Sequence, residues 1–232
     1  MPCHHHLTSC EHEVGSHRSC VSLVPIFNHL EAEQMDEIME TVQAMSYKKG
    51  EIIYRADEPS DALYIINKGK VRIYRLSETG KEQLVRMLNP GDFTGEHALF
   101  SKSLHESYAE AIMDTSICFI RGSDLQAFLL KYPTISLKIL AEFSARLEQV
   151  ERQTTRFTTE KVETRIALFL VEYMDNKNIV ELPMSKKDLA SYLGTSPETI
   201  SRKFADLEVG GYMKRKSNKR IEILDLDGLL LV

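Results

Sequence analysis

The stretch from Met184 to Arg220, MSKKDLASYLGTSPETISRKFADLEVGGYMKRKSNKR, constrains this chain more than any other. Ser185 stands before Lys186-Lys187-Asp188, an N-cap with an acidic residue in the first helical turn. Leu189, Ala190 and Leu193 give that helix an apolar side, and Gly194 supplies the break after it. Ser196 caps a second helix that opens on Pro197, where a missing N–H costs nothing. At about 100° per residue, Ile200, Phe204 and Leu207 turn toward a core. Glu198, Ser201, Arg202 and Ala205 fall on the opposite side. The spacing predicts helix, tight turn, helix.

The outer face of the second helix is short-chained and polar, which suits entry into a major groove. Arg202 can bind guanine O6/N7 bidentately, Glu198 can accept from cytosine N4, and Ser201 can add a polar or methyl contact. Ser196, Thr199 and Lys203 join them as candidate DNA-contacting residues. After Gly210-Gly211, YMKRKSNKRIEIL reads as two short strands around a Ser-Asn turn, a wing placed to lay Lys216, Lys219 and Arg220 along the backbone. The Met184–Arg220 stretch carries nine Lys and Arg against four Asp and Glu, while the whole chain has a formal charge of −5. A basic island in an acidic chain is the footprint of phosphate binding, so double-stranded DNA is the expected partner.

At 232 residues the chain has room for two modest domains, each with its own core. No apolar run approaches the roughly 18 residues of a membrane span, and the N-terminus lacks the build of a secretory signal. A cytoplasmic protein without membrane attachment is expected. The chain has no phosphate-cradling P-loop, nucleophile elbow or paired metal motif, so it is not expected to be an enzyme.

Residues 1–24 have no helical or strand period. They hold Cys3, Cys10 and Cys20 with five interleaved histidines, which invites a metal reading. Pro25 to Ala44 has Leu30, Met35, Ile38, Met39 and Val42 on a helical period. From Ser46 to Arg121, short alternating runs separated by turn residues predict an antiparallel roll, barrel or sandwich. Such a roll could enclose a small ligand or simply be filled. Thr134 to Phe157 is a long helix whose Leu140, Phe143, Leu147, Val150, Thr154 and Phe157 form a narrow seam flanked by charges. Such a stripe could pack on its own roll instead; because helix-turn-helix proteins usually work as dimers on two half-sites, a two-fold parallel pairing along this seam is the expected homodimer interface. Thr158 and Thr159 are expected to form a hinge. The predicted units are a Cys/His-rich segment (1–24), a sensory roll (25–132), a dimerisation helix (133–158) and a winged helix-turn-helix (159–232).

In that order the chain resembles the CRP/FNR superfamily of bacterial transcription regulators, over almost all of residues 25–232. GEIIYRADEPSDALYIINKGKVRIYR and PGDFTGEHALF resemble the family's sensory domain. Glu198, Ser201 and Arg202 match the Glu-x-x-Ser-Arg pattern of the FNR branch. The resemblance implies an α+β fold: a cyclic-nucleotide-binding-like jelly roll, a long dimer helix and a C-terminal winged helix. It also implies an inverted-repeat operator of the type TTGAT…ATCAA and RNA polymerase as a further partner.

The resemblance bears on the effector as well. Relatives similar to the cyclic-AMP receptor hold the cyclic phosphate with an Arg-Ser pair. Here that pair reads Glu106-Ser107, and a carboxylate facing phosphate argues against cyclic AMP. FNR-like sensors hold a [4Fe–4S] cluster on three N-terminal cysteines and one at the end of the roll, which implies Cys3, Cys10, Cys20 and Cys118 as ligands. The N-terminal spacing, Cys-x6-Cys-x9-Cys, is wider than the FNR pattern. Zinc on mixed Cys/His ligands, a cluster-free thiol switch and an effector-independent regulator stay open beside the cluster. In the cluster reading, the cofactor orders the N-terminal segment against the roll and alters packing along the dimer seam, and so the spacing of the recognition helices.

Overall fold

A computed structural model of the chain describes residues 21–22, 24–99 and 103–232. Cys3, Cys10 and Cys20 therefore lie outside the described residues.

The first helix, α1, covers Ala32–Thr41, shorter than the helix expected from Pro25 to Ala44. Its start is set by a reciprocal capping box in which the Glu31 N–H donates to Gln34 Oε1 at 3.1 Å. Val24 to Leu30 forms turns instead, and Val24, Ile26 and Phe27 are fully buried.

Among the described residues ten strands follow: β1 Gln43–Tyr47, β2 Ile52–Tyr54, β3 Pro59–Ser60, β4 Ala62–Lys68, β5 Val71–Leu76, β6 Glu82–Leu88, β7 Phe93–Thr94, β8 Ser103–Leu104, β9 Tyr108–Ala111 and β10 Thr115–Arg121. They form antiparallel sheets in the orders β1-β10-β4-β7 and β2-β9-β5-β6, with β3 paired to β8. This is the expected roll. Alternation sends Leu63, Ile65, Cys118 and Ile120 to one face and Ile66 and Ile117 to the other, and both sets are almost completely buried. Strand β6 stands at the edge of its sheet. A bulge where Ile73/Tyr74 face Arg86/Leu84 leaves Val85 as the extra residue and re-aims the strand.

Helix α2 (Gly122–Lys131) leads into α3 (Pro133–Thr159), 27 residues that open on proline. Helix α3 shows two apolar stripes. Ile135 and Ile139 are buried against the roll, while Leu137, Leu140, Leu147 and Val150 stand 57–67 % exposed. The expected hinge at Thr158-Thr159 is not where the helix breaks. Both hydroxyls donate back to the Thr155 carbonyl at 2.9 Å, which keeps the residues helical, and the chain turns extended only at Glu160.

The C-terminal unit comprises α4 (Val162–Glu172), β11 (Ile179–Glu181), α5 (Lys186–Tyr192), α6 (Pro197–Val209), β12 (Met213–Arg215), β13 (Arg220–Ile223) and α7 (Leu226–Leu230). Its sheet runs β11-β13-β12, so the predicted two-stranded wing has a third strand that the sequence pattern did not indicate. Helices α4, α5 and α6 close on a core that includes Ile166, Phe169, Leu189, Ile200, Phe204 and Leu207.

Candidate nucleic-acid interface and sensory pocket

Both predicted caps form. Ser185 Oγ accepts from the Asp188 N–H at 3.1 Å, and Ser196 Oγ accepts from the Thr199 N–H at 3.2 Å. Gly194 takes φ 65°, the left-handed conformation that lets α5 turn directly into α6. With Ile200, Phe204 and Leu207 buried, α6 presents Glu198, Ser201, Arg202 and Ala205 to solvent. Among the described residues Arg202 makes no ion pair, which leaves its guanidinium available to a base edge. The Glu198 carboxyl is held below its ordinary range by backbone N–H at the helix start and by Ser196.

The other candidate contacts are less uniform. Ser196 and Thr199 are occupied in capping, with their hydroxyls 3.1 Å apart. Lys203 turns inward along α6 to ion-pair with Glu163, and that bond raises the Lys203 pKa. On the wing, Lys216 pairs with Glu222 at 2.7 Å and Arg220 lies 3.7 Å from Glu181, whereas Lys219 is exposed.

A cavity of about 540 Å³ lies between strands β5 and β6 of the roll, helix α3 and the C-terminal unit, whose Tyr173, Met184 and Tyr192 also line it. Gly95, at φ 83°, begins its floor; a Cβ there would collide with the Ala62 carbonyl. The next residue, Glu96, accepts through Oε1 from Arg86 at 3.0 Å and from Arg146 of α3 at 2.9 Å. Arg146 also covers the Phe93 ring at 4.0 Å, and burial lowers its pKa. Glu106 points to Arg75 and ion-pairs with it. The guanidinium groups near the cavity are thus engaged by the chain's own carboxylates. Sequence reasoning missed the roles of Arg86, Glu96 and Arg146, because the partners are 10 and 50 residues apart and no local motif marks them.

Cys118 sits on β10, paired across to Ala44 and Ile65, and is 1 % exposed. It is disulfide-bonded. It belongs to the core that also holds Val21, Phe27, Ile135 and Ile139. Among the described residues no group of three or more His, Cys, Asp or Glu is placed to hold a metal ion.

Comparison with known proteins bears on the whole arrangement. Residues 44–132 match the family model of the cyclic nucleotide-binding domain, and residues 164–231 match that of the Crp-like helix-turn-helix domain. A probable transcriptional regulator, flp, of Lacticaseibacillus casei is 31 % identical over 91 % of this chain and 96 % of its own length. The chain belongs to the Crp/Fnr family of transcription regulators. The nitrogen fixation regulation protein FixK of Rhizobium meliloti is 32 % identical over 79 % of this chain and 84 % of that protein. The solved structure of FixK2 from Bradyrhizobium japonicum superposes with a TM-score of 0.71 at 30 % identity, covering 81 % of this chain and 95 % of that one. As a Crp/Fnr regulator the chain is a DNA-binding protein, and α5 and α6 lie within its Crp-like helix-turn-helix domain. No helix among the described residues is long and apolar enough to cross a membrane.

Proposed function

We propose that this Crp/Fnr regulator is a cytoplasmic homodimer that reads an inverted repeat of the type TTGAT…ATCAA, acts with RNA polymerase, and responds to redox state through Cys118. Cys118 carries the redox reading. Its sulfur is disulfide-bonded and sits in one core with Ile135 and Ile139, the residues that seat the long helix on the roll. The chain's other three cysteines, Cys3, Cys10 and Cys20, are the partners available to it. Closing such a bond passes two electrons and two protons from a pair of thiols to an external oxidant such as oxygen or another disulfide, and an external dithiol returns them when it reopens. The change falls within the core that positions α3, and through α3 it reaches the recognition helices.

A [4Fe–4S] cluster on Cys3, Cys10, Cys20 and Cys118 is the second reading. It is supported by likeness to proteins named anaerobic regulatory protein, such as that of Pasteurella multocida, 28 % identical over 88 % of this chain. The described residues fit it less well. Cys118, the described member of the four, is bonded to sulfur, whereas a cluster takes it as a thiolate. Zinc on the same cysteines meets the same objection. Helix α3 supports the dimer, with Leu140, Leu147 and Val150 exposed along one stripe; Phe143 instead packs toward the roll core.

Chemical analysis of protein purified without oxygen tests the sulfur chemistry. Free thiols that are lost pairwise on oxidation, without iron or acid-labile sulfide, support the disulfide reading. About four iron and four sulfide per chain would replace it with the cluster, and zinc without sulfide with a metal switch.

A further inference from the structure

The edge of the sensory sheet is covered by the DNA-binding unit. Among the described residues strand β6 has one sheet neighbour, β5, so its outer backbone groups need partners from elsewhere. Ser191 of α5 supplies them: its Oγ accepts from the Leu84 N–H at 2.6 Å and donates to the Glu82 carbonyl at 3.1 Å. The Gln83 side-chain amide donates to the Ser191 carbonyl at 2.5 Å. Leu84 is 3 % exposed and packs within the core of the C-terminal unit, although it belongs to the roll.

Charge reinforces the contact. Arg72 of β5 ion-pairs with Glu110 at 2.6 Å, Glu82 at 3.0 Å and Asp188 at 3.4 Å, and Asp188 belongs to α5. Lys187, also on α5, pairs with Glu82 at 3.0 Å, and this bond is the leading reason the Glu82 carboxyl titrates below its ordinary range. In helix-turn-helix docking the first helix crosses the DNA backbone, so a lysine in its first turn is placed to meet phosphate. Lys187 has one ammonium group, and Glu82 and a phosphate compete for it.

We propose that the β5–β6 hairpin is an autoinhibitory latch on the helix-turn-helix. Docked, it withholds Lys187 from DNA and places Glu82 where a phosphate would sit. Undocked, it frees the lysine and removes the carboxylate. Arg86, which holds Glu96 in the cavity, lies on the same strand, across the bulge from Leu84. The roll thereby has a route to the DNA-binding unit that does not pass through α3. The inference rests on DNA binding by the helix-turn-helix and not on the chemistry of Cys118.

Operator-duplex binding across a salt series, with hydrogen exchange at the Leu84 amide, tests it. The proteins are full-length wild type, Glu82→Gln, Ser191→Ala and the double variant, with Glu78→Gln in the hairpin turn as a charge control. The latch predicts faster exchange at Leu84 and about threefold to tenfold tighter binding for Glu82→Gln and for the charge-neutral Ser191→Ala. It also predicts a salt slope steeper by about 0.9, one added phosphate contact, and no change for Glu78→Gln. Folded variants with faster Leu84 exchange but equal or weaker operator binding would overturn the proposal. So would unchanged Leu84 protection in the double variant, because the docking would then not depend on the groups that define it.

Discussion

Arg146 of the long helix and Glu96 of the roll meet through one oxygen, at 2.9 Å, and the same oxygen accepts from Arg86 at 3.0 Å. A carboxylate of the chain thus bridges two guanidinium groups, one on a sensory strand and one on α3. An anionic ligand entering the cavity would have to displace Glu96, and Glu106 would repel it at the mouth.

Removing Glu96 therefore has two readouts. Glu96→Ala leaves two partly buried guanidinium groups without their counter-ion, at a cost of about 1–3 kcal/mol, discounted because each group keeps some solvent contact. Urea unfolding measures it. In wild type, millimolar cyclic AMP is expected to leave the thermal midpoint unmoved. A saturable rise would show that the nucleotide does displace Glu96.

Arg202 and Lys216 separate sequence reading from backbone contact. Arg202→Ala is expected to cost about 1–3 kcal/mol on the operator and to relax preference at one base pair per half-site, with little loss on random duplex. Lys216→Ala is expected to weaken both duplexes alike and to lower the salt slope by about 1. Titrations on operator and scrambled DNA at several salt concentrations distinguish the two patterns. Equal losses for Arg202→Ala on both duplexes would remove its reading role.

The exposed stripe of α3 makes a prediction about assembly. Leu147 is 60 % exposed in the single chain and has no role in the roll core. Leu147→Asp would place a charge in the proposed seam on both protomers, so sedimentation should show monomer where wild type shows dimer. Operator affinity should fall with it. Unchanged sedimentation would place the dimer contact elsewhere.

His105 links stability to pH. It is buried, stacked on Tyr54 with centroids 3.8 Å apart, and its Nε2 has no hydrogen-bond partner among the described residues. Burial lowers its pKa from 6.5, opposed by the nearby carboxylates of Glu58 and Asp61. The unfolded chain therefore takes up a proton near pH 6.5 that the folded chain refuses. Stability is full above that pH and declines as pH falls below it, until the folded His105 protonates. Urea midpoints from pH 7.5 to 5.5 should decline less in His105→Phe than in wild type. His29, also lowered by burial, accounts for part of any slope that persists.

The parts legible in the sequence were those encoded by near neighbours. Ser185, Gly194, Ser196 and Pro197 define the helix-turn-helix within a dozen residues, because caps and turns are decided by local backbone chemistry. The roll was legible as alternating strands and turns. The start of α1 was not, since apolar periodicity through Leu30 was overridden by the capping box at Glu31. Strand β11 was missed because three residues carry too little pattern. Lys203 looks solvent-facing by helical spacing, yet Glu163, 40 residues earlier, draws it inward. The contacts that join the units, Arg72 with Asp188 and Leu84 with Ser191, span more than 100 residues and leave no local trace.

Cys118 is the proposed point where redox state enters this DNA-binding protein. The most direct test is operator affinity of wild type and Cys118→Ser, each measured reduced and oxidised at one salt concentration. A several-fold difference between the two states is expected for wild type and none for Cys118→Ser, with both proteins dimeric. Equal affinity of wild type in the two states, with the Cys118 bond shown to have opened and closed, would contradict it.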